Sequence, residues 1–133
     1  MGELLALKRE DIDFFTAQLH VRRTINRLAK YEAHDSENKT EIVFGTPKTK
    51  NSRRTIPLTR TMADKLARWK QQQAQDKLRA GDKYTDGGFV VTNEFGHYFE
   101  QKTFKDYYDR LLKDADIGHF TFHALRHTFA TRA

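Results

Sequence analysis

Residues 41–59 read EIVFGTPKTKNSRRTIPLT, and this stretch sets the chain apart from an all-helical one. Two β-prone runs, EIVFGTP and RRTIPLT, flank the polar segment KTKNS, and β-branched and aromatic residues bounded by turn formers favour strands. The short separation and the Asn-Ser step predict a hairpin. Upstream, residues 14–25 (FFTAQLHVRRTI) place apolar residues at Leu19, Val21 and, after a shift, Ile25, which predicts a third strand with one buried face. Between them, residues 26–40 (NRLAKYEAHDSENKT) carry Asp35, Ser36 and Asn38 and are expected to form a loop.

Downstream the period changes from two to 3.6. Met62, Leu66 and Trp69 recur at helical spacing in residues 60–81, with Thr59 or Thr61 as the cap and Gly81 as the stop. Residues 87–96 (GGFVVTNEFG) read as a short apolar run closed by a turn. A second helix is expected over 101–118, where Phe104, Tyr107, Tyr108, Leu111, Leu112 and Ala115 form one stripe and Gly118 ends it. At the other end, residues 2–13 (GELLALKREDID) resemble the last turns of an amphipathic helix entering an acidic turn, so the helix is expected to start before this chain does. The fold class that follows is α+β, mainly helical, with a small three-stranded antiparallel sheet beside helices. A length of 133 residues and the absence of any linker or repeat predict a single domain over 1–133.

Composition narrows the function classes. The chain carries 24 Lys and Arg against 18 Asp and Glu, a formal charge of +6, so a polyanionic partner is the first candidate. Without cysteine there is no disulfide framework, thiol nucleophile or thiolate metal site. No apolar run approaches the roughly 18 residues of a membrane span, so no membrane partner is expected.

The final segment, residues 120–133 (FTFHALRHTFATRA), holds the most specific chemistry. Thr121 can cap a helix whose period places Phe122, Leu125 and Phe129 on one side and His123, Arg126, His127 and Ala130 on the other. Residues three apart on a helix have Cβ atoms roughly 5–6 Å from each other, so His123 and Arg126 can converge on one anion. The guanidinium fork matches phosphate oxygens, and an imidazole can add a hydrogen bond or move a proton near neutral pH. The same pair also occurs on solvated helix faces. His123 and His127 stand at the spacing of helical zinc ligands, but HALRH has no internal glutamate and no cysteine is available, so no metal is expected.

HALRHTFAT resembles the His-x-x-Arg signature of the tyrosine recombinases, the integrase family of phages and transposons. Two further stretches resemble that family in the same order. GELLALKREDID is similar to the segment after its first catalytic arginine, with the pattern Arg-x-Gly-Glu, and TPKTKNSRRTIPL is similar to its lysine-bearing β-hairpin. The resemblance covers essentially the whole chain. It implies a recombinase catalytic-domain fold and cofactor-free DNA strand exchange, in which a tyrosine attacks the scissile phosphate and forms a 3′-phosphotyrosyl link.

Carried over residue by residue, the resemblance makes Arg126 the grip on the non-bridging oxygens, His123 a hydrogen-bond or proton-transfer partner and Lys48 the general acid on the leaving 5′-hydroxyl. Lys50 is the rival acid, two residues on, and Lys50, Arg53 and Arg54 are expected to contact DNA. Thr46–Arg60 contains no acid. Glu3, from the Gly-Glu of the first motif, is expected to support that motif's arginine or the core rather than react. The partners implied are double-stranded DNA and a homo-tetramer on DNA in the full-length protein, located in the cytoplasm with the nucleoid. The family's first arginine would precede Met1 and its tyrosine would follow Ala133. All five tyrosines lie before His123, so this chain alone is expected to bind DNA without cleaving it. The alternative is a non-catalytic DNA-binding module derived from a recombinase. RNA binding is disfavoured, because the strands lack paired stacking aromatics.

Overall fold

The computed structural model describes residues 1–29, 40–46 and 53–132. Among these, a helical turn α1 (Gly2–Leu5) and a 3-10 turn (Arg9–Asp11) lead into β1 (Ile12–Asp13), β2 (Gln18–Val21), β3 (Thr24–Ala29), β4 (Thr40–Gly45) and β5 (Arg54–Pro57). Helices α2 (Arg60–Ala80), α3 (Gln101–Asp114) and α4 (Ala124–Arg132) follow. The architecture is α+β with small antiparallel sheets and more helix than strand, in agreement with the sequence.

The strands divide between two antiparallel sheets, one ordered β1-β2-β5 and one of β3 with β4. The division falls at Arg22 and Arg23, where the apolar alternation shifts. Arg23 donates to Asp11 Oδ2 at 2.7 Å and to Glu10 Oε1 at 2.9 Å, which anchors the break. The predicted pairing of residues 41–47 with 53–59 is therefore corrected: among the described residues β4 pairs with β3, and β5 pairs with β2. The apolar residues of β4 explain the choice. Directly opposite residues share a face, so pairing Ile25 with Phe44 and Arg27 with Ile42 puts Ile42 and Phe44 on the face of Ile25, while Val43 takes the other. There Ile25 is 2% exposed beside Leu5 and Ala6, with Ile42 packed against them. Phe44 meets the rings of Phe89 and Tyr98 at 5.5 and 5.2 Å. The loop expected over 26–40 is corrected with it, because Asn26–Ala29 and Thr40 are ladder residues; residues 30–39 lie outside the described residues.

A second apolar cluster joins the sheet to α2 through Leu7, Ile12 and Val90, with Leu19, Leu58 and Leu66 against it. Thr59 caps α2, its Oγ1 accepting from the Met62 amide at 3.2 Å, and Gly81 ends it at φ +57°. Gln73 is buried on this helix because its amide has acceptors waiting, the Val90 carbonyl at 3.0 Å and the Thr92 hydroxyl at 2.8 Å. Helix α3 stops earlier than expected. Asp116 adopts φ +53°, its amide donates to the Lys113 carbonyl and that of Ile117 to Leu112, so a Schellman closure ends the helix before Gly118 is reached. Aspartate is among the few side chains that tolerate this left-handed region.

Candidate nucleic-acid interface

Helix α4 begins at Ala124, two residues later than a cap at Thr121 implies, although Thr121 still closes the turn before it. Thr121 Oγ1 accepts from the Ala124 amide at 3.3 Å, and the Arg126 amide donates to the His123 carbonyl at 3.1 Å, so His123 and Arg126 stand one tight turn apart. Both side chains are exposed, and the His123 and His127 rings meet edge-on at 5.6 Å. Among the described residues no group of three histidine, cysteine or acidic side chains is arranged to hold a metal ion.

The opposite face is less covered than its pattern implies. Phe122 alone packs inward, edge-on to Phe104 and Tyr108 of α3 at 5.7 and 5.5 Å, whereas Leu125 is 50% and Phe129 77% exposed. The His-x-x-Arg turn is thus held to α3 through one aromatic anchor. The described tyrosines serve packing and turns: Tyr98 and Tyr108 lie in ring clusters, Tyr107 faces Phe99, and Tyr84 sits over Gly96. Tyr31 lies outside the described residues, as do Lys48 and Lys50.

The sheet brings the other cations together. Arg53 and Arg54 border a cleft of about 370 Å³ with His20, Val21, Arg22 and Thr55. The two-residue period of a strand separates neighbouring side chains. Arg54, opposite buried Val21, reaches Glu3, with Nη1 to Oε1 at 3.2 Å and Nη2 to Oε2 at 2.9 Å. Arg53 falls on the other face, with His20 and Thr55, whose Nδ1 and Oγ1 lie 2.9 Å apart. Glu3 therefore holds Arg54, a partner that its place in the Gly-Glu motif did not point to. Gly2 makes this possible: a Cβ there would lie 2.6 Å from Thr24 Oγ1 and 2.8 Å from the Ile25 carbonyl, so only glycine lets α1 approach β3 this closely.

His20 and Arg22 are site candidates that reading by motif passed over. The signal was present, since both fall on the polar phase of the alternation that places Leu19 and Val21 inside. A larger hollow of about 600 Å³, bordered by Ile25, Ile42 and Gln101, holds neither this cleft nor the His-x-x-Arg turn.

The whole chain, residues 1–133, matches the phage integrase family. It is 35% identical over 134 residues to a tyrosine recombinase XerC-like protein of Caldanaerobacter subterraneus subsp. tengcongensis, covering 98% of this chain and 34% of that protein. It is 27% identical over 131 residues to the ICEBs1 integrase of Bacillus subtilis, covering 96% and 32%. The chain thus spans about a third of the length of these curated relatives. Among solved structures, the Tn1549 transposon integrase in complex with transposon right end DNA superposes with a TM-score of 0.71 at 21% identity, covering 98% of this chain and 40% of the other. That likeness establishes the fold, and the match to the family along the full sequence shows that the chain belongs to the phage integrase family of tyrosine recombinases.

Proposed function

We propose that this chain is the DNA-binding and phosphate-activating part of a site-specific recombinase, which cleaves and rejoins duplex DNA through a 3′-phosphotyrosyl intermediate in the full-length protein. The observation that carries the reading is the exposed pair His123 and Arg126, one turn apart where the chain enters α4, in a chain that matches the family from end to end. Attack on a phosphodiester builds negative charge on its non-bridging oxygens, and preorganised donors aimed at that charge lower the barrier without a metal. Arg126 supplies the fork for these oxygens. His123 donates to the same phosphate or passes a proton, and Lys48 or Lys50 gives its proton to the leaving 5′-oxygen, which departs as the hydroxyl. The complete enzyme assembles as a homo-tetramer on paired sites, and this chain by itself binds DNA without cutting it.

The test uses a nicked duplex that traps the covalent intermediate. In the full-length recombinase, Arg126→Ala should cut adduct formation by about 10²–10³-fold, the usual cost of losing one transition-state donor, with little change in DNA affinity. A modest, uniform loss of affinity with adduct formation intact would overturn the catalytic assignment and favour a non-catalytic DNA-binding module.

A further inference from the structure

We infer that the outer face of the β2–β5 ladder, built on His20, Arg22 and Arg53, is a binding site for a backbone phosphate of duplex DNA, separate from the His-x-x-Arg turn. The inference rests on the recombinase reading for the identity of its partner. Its geometry stands on three observations.

The first is register. His20 lies opposite Thr55 and Val21 opposite Arg54, so continuing the ladder by one step brings Arg22 toward Arg53 on the face that His20 and Thr55 occupy. Like charges placed opposite each other across a ladder are destabilising. An anion between the two guanidinium groups reverses that sign, and the cleft of about 370 Å³ that they border has room for a phosphate.

The second is how Arg22 is held. Asp11 is 1% exposed and its Oδ2 accepts from the Lys8 amide and from Arg23, while its Oδ1 accepts no hydrogen bond and faces Arg22 Nη1 at 3.6 Å. That distance is too long for a hydrogen bond but short enough for attraction. Arg22 is therefore steered by a buried carboxylate and keeps its donors for a ligand, and its side chain is half exposed. Arg23 and Arg54 are engaged, with Asp11 and Glu10 and with Glu3 respectively.

The third is charge. Acids make up 18 of the 133 residues, yet neither 14–29 nor 42–63 contains one, and β2 and β5 come from these two segments. On their outer face β1 adds Asp13, opposite Gln18 and within Coulombic reach of His20, so its positive potential rests on Arg22 and Arg53, and such cations bind phosphates by releasing counterions.

Binding of this chain to a fluorescently labelled DNA duplex of about 20–30 bp, followed by anisotropy over a salt series, tests the site. Arg22→Gln and Arg53→Gln should each lower the slope of log K against log salt by about 1, whatever the duplex sequence. Arg22→Lys should restore most of the slope, which separates charge from packing. Thermal melts of each variant establish that it is folded, and Arg53→Gln, remote from Asp11, covers the case in which Arg22→Gln unfolds. Salt-dependent binding by the wild type with an unchanged slope in folded Arg53→Gln and in the double variant overturns this site alone. Absence of duplex binding by the wild type overturns both this site and the DNA-binding reading beneath it. Competition by millimolar inorganic phosphate with no change in slope among the variants would mark a free-anion site and overturn the assignment to DNA.

Discussion

Glu3 and Arg54 meet as a two-bond fork, each carboxylate oxygen taking a hydrogen bond from one terminal nitrogen of the guanidinium, at 3.2 and 2.9 Å. Donating to the Glu3 carboxylate holds the Arg54 proton more firmly than in a free arginine. The fork ties α1 to β5 across fifty-one positions of sequence. Its two side chains are 47% and 35% exposed, so water screens it and its worth is about 0.5–1 kcal/mol. Glu3→Gln should lower the melting temperature by a few degrees at low salt, about 2–4 °C for that loss. The difference from wild type should shrink when the melts are repeated at 1 M salt, where charges are screened within about 3 Å.

Gly2 controls the same junction by shape. The atoms a new Cβ would strike are the Thr24 hydroxyl at 2.6 Å and the Ile25 carbonyl at 2.8 Å, and the second belongs to backbone paired in the β3–β4 ladder. The Gln101 amide donates to that same carbonyl at 2.9 Å, so displacing it also disturbs the start of α3. Overpacking of this kind costs about 1–3 kcal/mol. Gly2→Ala is therefore expected to shift the urea midpoint down by more than Glu3→Gln does, even though it removes no interaction.

Asp86 gives the chain a defined acid response. Lys77 and Arg9 donate to its carboxylate, with the Gly88 amide adding a third bond, and they hold its pKa down at about 2. A carboxyl group whose folded pKa lies below the unfolded value of about 3.9 stabilises the fold fully above that value and loses its contribution as pH falls toward the folded one. The window is thus roughly pH 4 to 2. With a third of the side chain exposed, screening reduces the effect to on the order of 1 kcal/mol. Asp86→Asn should lower stability at pH 7 and flatten the acid limb over that window, as read by denaturant melts at pH 6, 4, 3 and 2.

The long elements were legible because period and caps agree in them. Thr59 and Gly81 bound α2 as predicted, and Thr121 closes the turn before α4. Strand pairing was not legible from spacing alone, because β4 finds its partner through the core contacts of Ile42 and Phe44, which depend on where Leu5 and Phe89 arrive. The end of α3 escaped for a local reason: Asp116 takes the left-handed position for which Gly118 was the obvious candidate. Within the site, Arg53 and Arg54 look equivalent as neighbours in sequence, and only the partner of each face, Glu3 on one side and the His20–Thr55 pair on the other, tells them apart.

Phe122 joins the fold to the proposed chemistry. It sits beside His123 in sequence, and its ring stands nearly perpendicular to those of Phe104 and Tyr108, at 81° and 80°. Edge-to-face pairs contribute about 0.5–1.5 kcal/mol each beyond their buried area. Since Leu125 and Phe129 are mostly exposed, these two pairs carry much of what fixes the first turn of α4. Phe122→Ala should speed hydrogen exchange at the amides of Arg126 and His127 while leaving those around Trp69 in α2 unchanged. Phe122→Tyr, which keeps the ring, should exchange like the wild type. In the full-length recombinase the alanine variant should lose adduct formation more than DNA affinity, because a phosphate held by Arg22 and Arg53 does not depend on where α4 points, whereas charge stabilisation by His123 and Arg126 depends on geometry held to fractions of an ångström. Equal losses of affinity and adduct formation would show that α4 serves binding first, and the aromatic anchor would then be a docking element for DNA rather than an aligner of the reacting phosphate.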